Sequence, residues 1–165
     1  MLIEKRGKAD GINIRCFTTF LFTRLLSGGV NERFMKKEDF LSYDLIMLPI
    51  NHSQHWRLMT INVPKKLICY YDSLNWTLDG ANDLILNFLA SRSMKQRNEM
   101  MILDEWNYIC DFSDIPRQEN CYDCGVFALK YADCISKDIP FYFTQKDIPT
   151  IRQIMSYELI TATLL

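Results

Sequence analysis

Histidine is the scarcest chemically useful residue in this sequence: there are only two, His52 and His55, both in "INHSQHW". Glycine and proline are also few, six and five in 165 residues, and nowhere gather into a linker, repeat or low-complexity tract. One domain is therefore the simplest partition, and the length is ample for a buried core. An excess of charge of either sign is missing too. Nineteen Lys and Arg stand against twenty Asp and Glu, a formal charge of −1, which argues against a broad nucleic-acid or acidic-membrane surface. The N-terminus lacks the continuous apolar run of a signal peptide. The most apolar early stretch, Ile12 to Leu26, is broken by Arg15 and Arg24 and does not read as a membrane span. Without a secretory signal the six cysteines are expected as reduced thiols, in nucleus or cytoplasm, explained by chemistry or packing rather than by disulfides.

What is present is ordinary globular composition, 48% hydrophobic against 24% charged. "CFTTFLFTRLL" (16–26) reads as a buried helix ended by Gly28 and Gly29, and "DLIMLPI" (44–50) as a short apolar strand. "WRLMTINV" (56–63) and "LICYY" (67–71) are rich in β-formers and flank Pro64-Lys65-Lys66, which predicts a hairpin. Leu84, Ile85, Phe88 and Leu89 recur at helical spacing within 81–97. Alternation in "EWNYICDF" (105–112) predicts a strand, and the apolar run from Gly125 to Ile135 a buried helix. A last helix is expected from about Asp147 to Leu164, opened by Thr144 and Asp147 as an N-terminal signal. Strands clustered in a hairpin-rich middle make the class α+β rather than a doubly wound parallel sheet.

A hairpin turning near Pro64 folds His55 and Asp72 onto the same end. Directly opposed antiparallel positions have Cα atoms about 4.5–5.5 Å apart, close enough for a carboxylate to accept the imidazole N–H. That is the base-and-orienter half of a catalytic triad. The competing reading is a satisfied polar histidine at a strand start and an aspartate capping the turn in "YDSLNW".

A thiol at a helix start would complete the set. Cys124 precedes Gly125 and the buried helix, where unpaired N–H groups and the macrodipole favour thiolate. Gly125 leaves room for a substrate backbone. Asp123 opposes thiolate formation unless its carboxylate is consumed in capping the helix. Gln118, six residues before Cys124, offers a side-chain N–H to a developing oxyanion. Rivals exist. "CYDC" (121–124) resembles half a zinc site, but the other four cysteines are isolated and no second pair exists. The same Cys-x-x-Cys at a helix start also fits a thioredoxin-like redox pair, which predicts a βαβ setting and makes Cys121 the nucleophile. A plain buried cysteine is the remaining alternative.

These residues, in this order and spacing, carry a resemblance. "FTTFLFTRL", "DLIMLPIN", "HWRLMTINVPKKLICYYDSL", "QENCYDCGVFALKYADCISKD" and "FTQKDIPTIRQIM" resemble segments of the SUMO-specific (sentrin-specific) cysteine proteases, the Ulp/SENP type related to the adenoviral protease. The most specific parts are His55-Trp56, Tyr70-Tyr71-Asp72-Ser73, and Gln118 with Cys124-Gly125. The resemblance covers nearly the whole chain and implies a papain-like, adenain-like cysteine protease domain with a central hairpin-rich mixed sheet flanked by helices.

The resemblance also assigns roles. His55 matches the general base, Asp72 its orienting carboxylate, Cys124 the nucleophile and Gln118 the oxyanion-hole residue. Trp56 matches one aromatic wall of the tunnel that clamps the modifier's Gly-Gly tail, where only glycine avoids a Cβ clash. Phe20 and Arg33 fall where family members contact SUMO. The implied activity is a thiol isopeptidase that removes SUMO from lysines and processes SUMO precursors, acting as a monomer on SUMO and SUMO-conjugated proteins. No metal or organic cofactor, nucleic acid or membrane is implied. Residues 1–165 are expected to form one protease domain, truncated at its N-terminus relative to the family. Trp76 and Trp106 lie in the wrong places to supply the tunnel's second wall. The alternatives are a catalytically impaired SUMO-binding fragment, a protease for another ubiquitin-like modifier, and a Cys-x-x-Cys oxidoreductase.

Overall fold

The first six residues of the strand at 45–52, LIMLPI, are all apolar because both faces of its sheet are covered. In the computed structural model, which describes residues 2–29 and 34–165, the sheet has five strands: β1 (Ile14–Cys16), β2 (Leu45–His52), β3 (His55–Asn62), β4 (Leu67–Tyr71) and β5 (Asn107–Ile109). They lie in chain order, antiparallel in the centre (β2–β3 and β3–β4) and parallel at both edges (β1–β2 and β4–β5). Five helices flank it: α1 (Leu2–Ala9), α2 (Phe20–Leu26), α3 (Ala81–Arg97), α4 (Cys124–Ser136) and α5 (Ile148–Thr161). The α+β class and the hairpin are as expected.

Alternation along the strands makes two cores. Met47, Leu58 and Tyr71 face α4, where Val126, Phe127 and Tyr131 meet them. Ile46, Leu48, Met59, Ile61 and Tyr70 face the other way, onto Phe22 and Leu25 of α2 and Ile85 and Leu89 of α3. Each such fully buried apolar side chain contributes about 1.5–3 kcal/mol. Sheets covered on both faces require strands that read as continuous apolar runs, and β2 does.

Local expectations fared unevenly. Helix α3 keeps the bounds its periodicity predicts, starting after Gly80, whose φ of +74° is left-handed backbone that a side chain rarely adopts. The run 16–26 is not one helix. Cys16 closes β1, Phe17 donates its N–H to the Met47 carbonyl, and the helix begins only at Phe20. Strand 105–112 shrinks to Asn107–Ile109 because a 3-10 turn occupies Leu103–Glu105. Helix α1 escaped the apolar pattern. It is anchored through Arg6, which donates to Asp133 and Ser136 of α4. The Thr144–Asp147 signal is real but belongs to a 3-10 turn, Gln145–Asp147, just ahead of α5. Asp147 Oδ2 there accepts from the Thr144 N–H (2.8 Å) and hydroxyl (2.9 Å).

Candidate active site

The β2–β3 connection is as tight as a hairpin allows. His52 and His55 form its last rung, and Ser53 and Gln54 turn the chain with φ of +53° and +60°. Both central residues are left-handed, as in primed hairpin turns, yet neither is glycine, at a cost of roughly 1–2 kcal/mol each. His55 is thereby fixed as the first residue of β3.

Asp72 reaches His55 by a different register from the one expected. The β3–β4 ladder ends at Leu58 opposite Tyr71, so the next rung pairs Asp72 with Arg57, not with His55. Period-two alternation still puts residues 55 and 57 on one face, and the imidazole closes the diagonal. His55 Nε2 lies 2.8 Å from Asp72 Oδ1, and Arg57 Nε donates to Asp72 Oδ2, also at 2.8 Å. The Leu74 backbone N–H (2.7 Å) is a second donor to Oδ1. All three side chains are buried. Trp76, just beyond, tilts its ring onto the imidazole with centroids 5.1 Å apart.

The segment before α4 is stapled to the same place. Arg117 donates to the carbonyls of Asp72 (2.7 Å) and Phe112 (2.6 Å), and the Gln118 N–H donates to the Ser73 carbonyl at 3.1 Å. The Ser73 hydroxyl donates to Gln118 Oε1, and Gln118 Nε2 donates to the Asn120 carbonyl. With its oxygen held by Ser73, the buried amide presents its nitrogen end, which retains a second N–H. The Tyr131 hydroxyl donates to the Pro116 carbonyl and ties α4 to this loop.

Cys124 opens α4, which packs across β3 with Gly125 against Trp56. A Cβ on Gly125 would sit 3.5 Å from the Trp56 ring, in contact but without clash. The glycine thus keeps open a gap one methyl wide. The gap gives onto a largely apolar cavity of about 410 Å³ lined by Trp56, Gly125, Met47, Leu58, Val126 and Tyr122. Asp123 does not cap α4, contrary to one sequence expectation. Its carboxylate instead accepts from Asn120 Nδ2 (2.6 Å), Gln145 Nε2 (2.8 Å) and Arg152. Burial pushes the Asp123 carboxyl upward, but those hydrogen bonds from Asn120, Arg152 and Gln145 outweigh it and hold the group below its ordinary value. The negative charge next to Cys124 is therefore matched by Arg152.

All six cysteines are free thiols, with Cys121 exposed and Cys124 buried. The chain between β5 and α4 is irregular, so "CYDC" lacks the βαβ setting that the redox reading requires. Phe20 projects from α2 and is 73% exposed, a free apolar surface. Arg33 lies outside the described residues. Sequence reasoning missed Arg57, Ser73, Trp76 and Arg117 as parts of this cluster. Arg57 alone left a signal, a permanent charge inside a largely buried strand that must find a partner.

Residues 13–164 match the model of the Ulp1 protease family, C-terminal catalytic domain. The chain belongs to the Ulp1 protease family. It is 34% identical to Sentrin-specific protease 2 of Mus musculus over 168 residues, covering 100% of this chain and 29% of that protein. It thus spans under a third of the length of the Sentrin-specific protease 2 relatives it matches. Among solved structures it resembles the C-terminal Ulp1 protease domain in complex with Smt3, the yeast ortholog of SUMO. That likeness has a TM-score of 0.71 and 31% identity, and covers 90% of this chain and 68% of the other. It also resembles the SUMO protease Ulp1 with its catalytic cysteine oxidized to a sulfonic acid (TM-score 0.73, 30% identity, 98% of this chain and 73% of the other). The Ulp1 fold is thereby shared over almost the whole chain, as the sequence motifs implied.

Proposed function

We propose that this chain is a thiol isopeptidase that cleaves SUMO from lysine side chains of conjugated proteins and trims SUMO precursors. The observation that carries the reading is the buried His55–Asp72 pair, 2.8 Å apart where β3 begins, in a chain of the Ulp1 family whose helix α4 opens with Cys124. Because the carboxylate accepts at Nε2, that nitrogen carries the ring proton and Nδ1 is the basic one. Nδ1 takes the Cys124 thiol proton, and the thiolate adds to the carbonyl carbon of the modifier's terminal glycine. The second N–H of Gln118 and backbone N–H groups stabilise the oxyanion. Collapse breaks the C–N bond as the imidazolium protonates the departing lysine amine. Water then hydrolyses the thioester, releasing the SUMO carboxylate and regenerating the thiol. Trp56 forms a wall for the extended glycine tail beside the Gly125 gap, and Phe20 contacts the body of the modifier. A monomer in nucleus or cytoplasm fits six unpaired thiols and this substrate.

Incubation with SUMO vinyl sulfone tests the reading. A covalent adduct is expected that persists in Cys121→Ser and vanishes in Cys124→Ser. Labelling that follows Cys121, together with disulfide reductase activity, would return the site to redox chemistry. A further reading, SUMO binding without catalysis, predicts a stable complex with no adduct.

A further inference from the structure

We infer that Arg57 is a positioning residue of the catalytic array, a buried clamp that fixes the carboxylate and the histidine-bearing turn relative to each other. This rests on the proposed roles of His55, Asp72 and Cys124. The guanidinium makes two contacts at once: Nε donates to Asp72 Oδ2 at 2.8 Å, and a terminal nitrogen donates to the His52 carbonyl at 3.0 Å. His52 is the residue before the Ser53–Gln54 turn, and His55 the residue after it. One planar fork therefore ties the orienting aspartate at the end of β4 to the hairpin that presents the imidazole.

Two features point to positioning rather than stability alone. The first is burial. Arg57 and Asp72 are each only 4% exposed, and an ion pair taken that far from water gains little net stability over apolar residues of the same volume. The second is division of labour at the carboxylate. Oδ1 is used by His55 and the Leu74 N–H, and Oδ2, among the described residues, by Arg57. Without Arg57, the carboxylate is held through Oδ1 alone and loses the second anchor that limits its rotation about the Cβ–Cγ bond. The turn, held in left-handed backbone by two residues that are not glycine, would also lose a side-chain hydrogen bond at its base. Either change moves the imidazole relative to the thiol, and misplacement by about 1 Å can lower a rate on the order of 100-fold. Substrate contacts would be untouched, since Arg57 is buried among the catalytic groups.

The test uses the full chain with Arg57→Met, which keeps the length and removes the fork, and Arg57→Lys, which keeps the charge on a single nitrogen. Turnover of a SUMO–lysine isopeptide is expected to fall about 10- to 100-fold in kcat for Arg57→Met with KM changed by less than about twofold. Arg57→Lys should recover part of that loss. The proton on His55 Nε2, sheltered and bound to Asp72, should give a low-field NMR resonance that broadens in Arg57→Met. If Arg57→Met does not fold, Arg57→Lys carries the comparison, with a partial kcat loss at constant KM expected. Wild-type kcat and an unchanged resonance in a folded variant would overturn the clamp. If the wild-type chain shows no turnover while the resonance still depends on Arg57, the isopeptidase reading fails and the clamp stands.

Discussion

Asp72→Asn probes the point where stability and chemistry meet. Three donors converge on the native carboxylate: His55 Nε2 and the Leu74 N–H at Oδ1, and Arg57 Nε at Oδ2. Asparagine has one acceptor oxygen, so in either orientation its NH₂ faces a donor. Either way a buried guanidinium loses its counter-charge, a change that costs about 3–5 kcal/mol, and with the nitrogen toward Arg57 it also loses its acceptor. With the nitrogen toward His55, the imidazole must offer a lone pair at Nε2 and carry its proton on Nδ1, where it cannot accept one from the thiol. For the Ser-His-Asp triad the equivalent change lowers kcat by roughly 10⁴. Folding free energies are about 5–15 kcal/mol, so the variant should fold with a clearly lowered urea midpoint. Urea unfolding by circular dichroism and turnover of a SUMO isopeptide measure the two losses separately. Placing Asp72→Asn in an Arg57→Met background should shrink the stability loss, because no guanidinium remains to be stranded. Destabilisation under about 1 kcal/mol together with kcat/KM within threefold of wild type would refute the reasoning.

Gln118→Ala removes one proposed oxyanion donor and should lower kcat about 10²–10³-fold with little change in KM; near-normal kinetics would take Gln118 out of the mechanism. Asp123→Asn should be less stable than wild type at neutral pH. The folded carboxyl is held below its ordinary value, so on acidification the unfolded chain binds the proton first and the advantage disappears as pH falls through the folded value. The gap in urea midpoint should therefore close as the pH falls from the ordinary carboxylate range through the lower folded value, and a gap that persists in stronger acid would mean that Asp123 acts through packing. Phe20→Ala, at a 73% exposed position, should leave melting unchanged while weakening SUMO binding about tenfold; unaltered binding would move the docking surface elsewhere.

How far the sequence could be read depended on what kind of information each element needs. Helix α3 is specified locally, by apolar spacing and a glycine before its first turn, and its predicted bounds are the observed ones. The central hairpin and α4 were legible for the same reason: apolar composition and a turn signal act over a few residues. Helix α1 was not legible, because "LIEKRGKA" has no apolar face of its own and its anchor, Arg6 to Asp133, spans 127 positions. Edge strand β1 was hidden inside an apolar run. Its three residues become a strand only by pairing with β2.

The candidate site divides in the same way. Sequence alone selected His55, Asp72, Gln118 and Cys124: residue types and spacing left rival readings open, and the resemblance to a family pattern in order and spacing chose among them. Tertiary structure decided how they are held. The hairpin register turned out two residues off the expected pairing, which placed Arg57 rather than His55 across from Asp72 and made the imidazole a diagonal partner. Asp123 went to Arg152, Asn120 and Gln145 instead of to the helix end, which set a counter-charge against the carboxylate beside the thiol. Neither result follows from local propensity. Both depend on which donors the folded chain brings within about 3 Å of a buried carboxylate, and a buried charge takes the partners that the fold supplies.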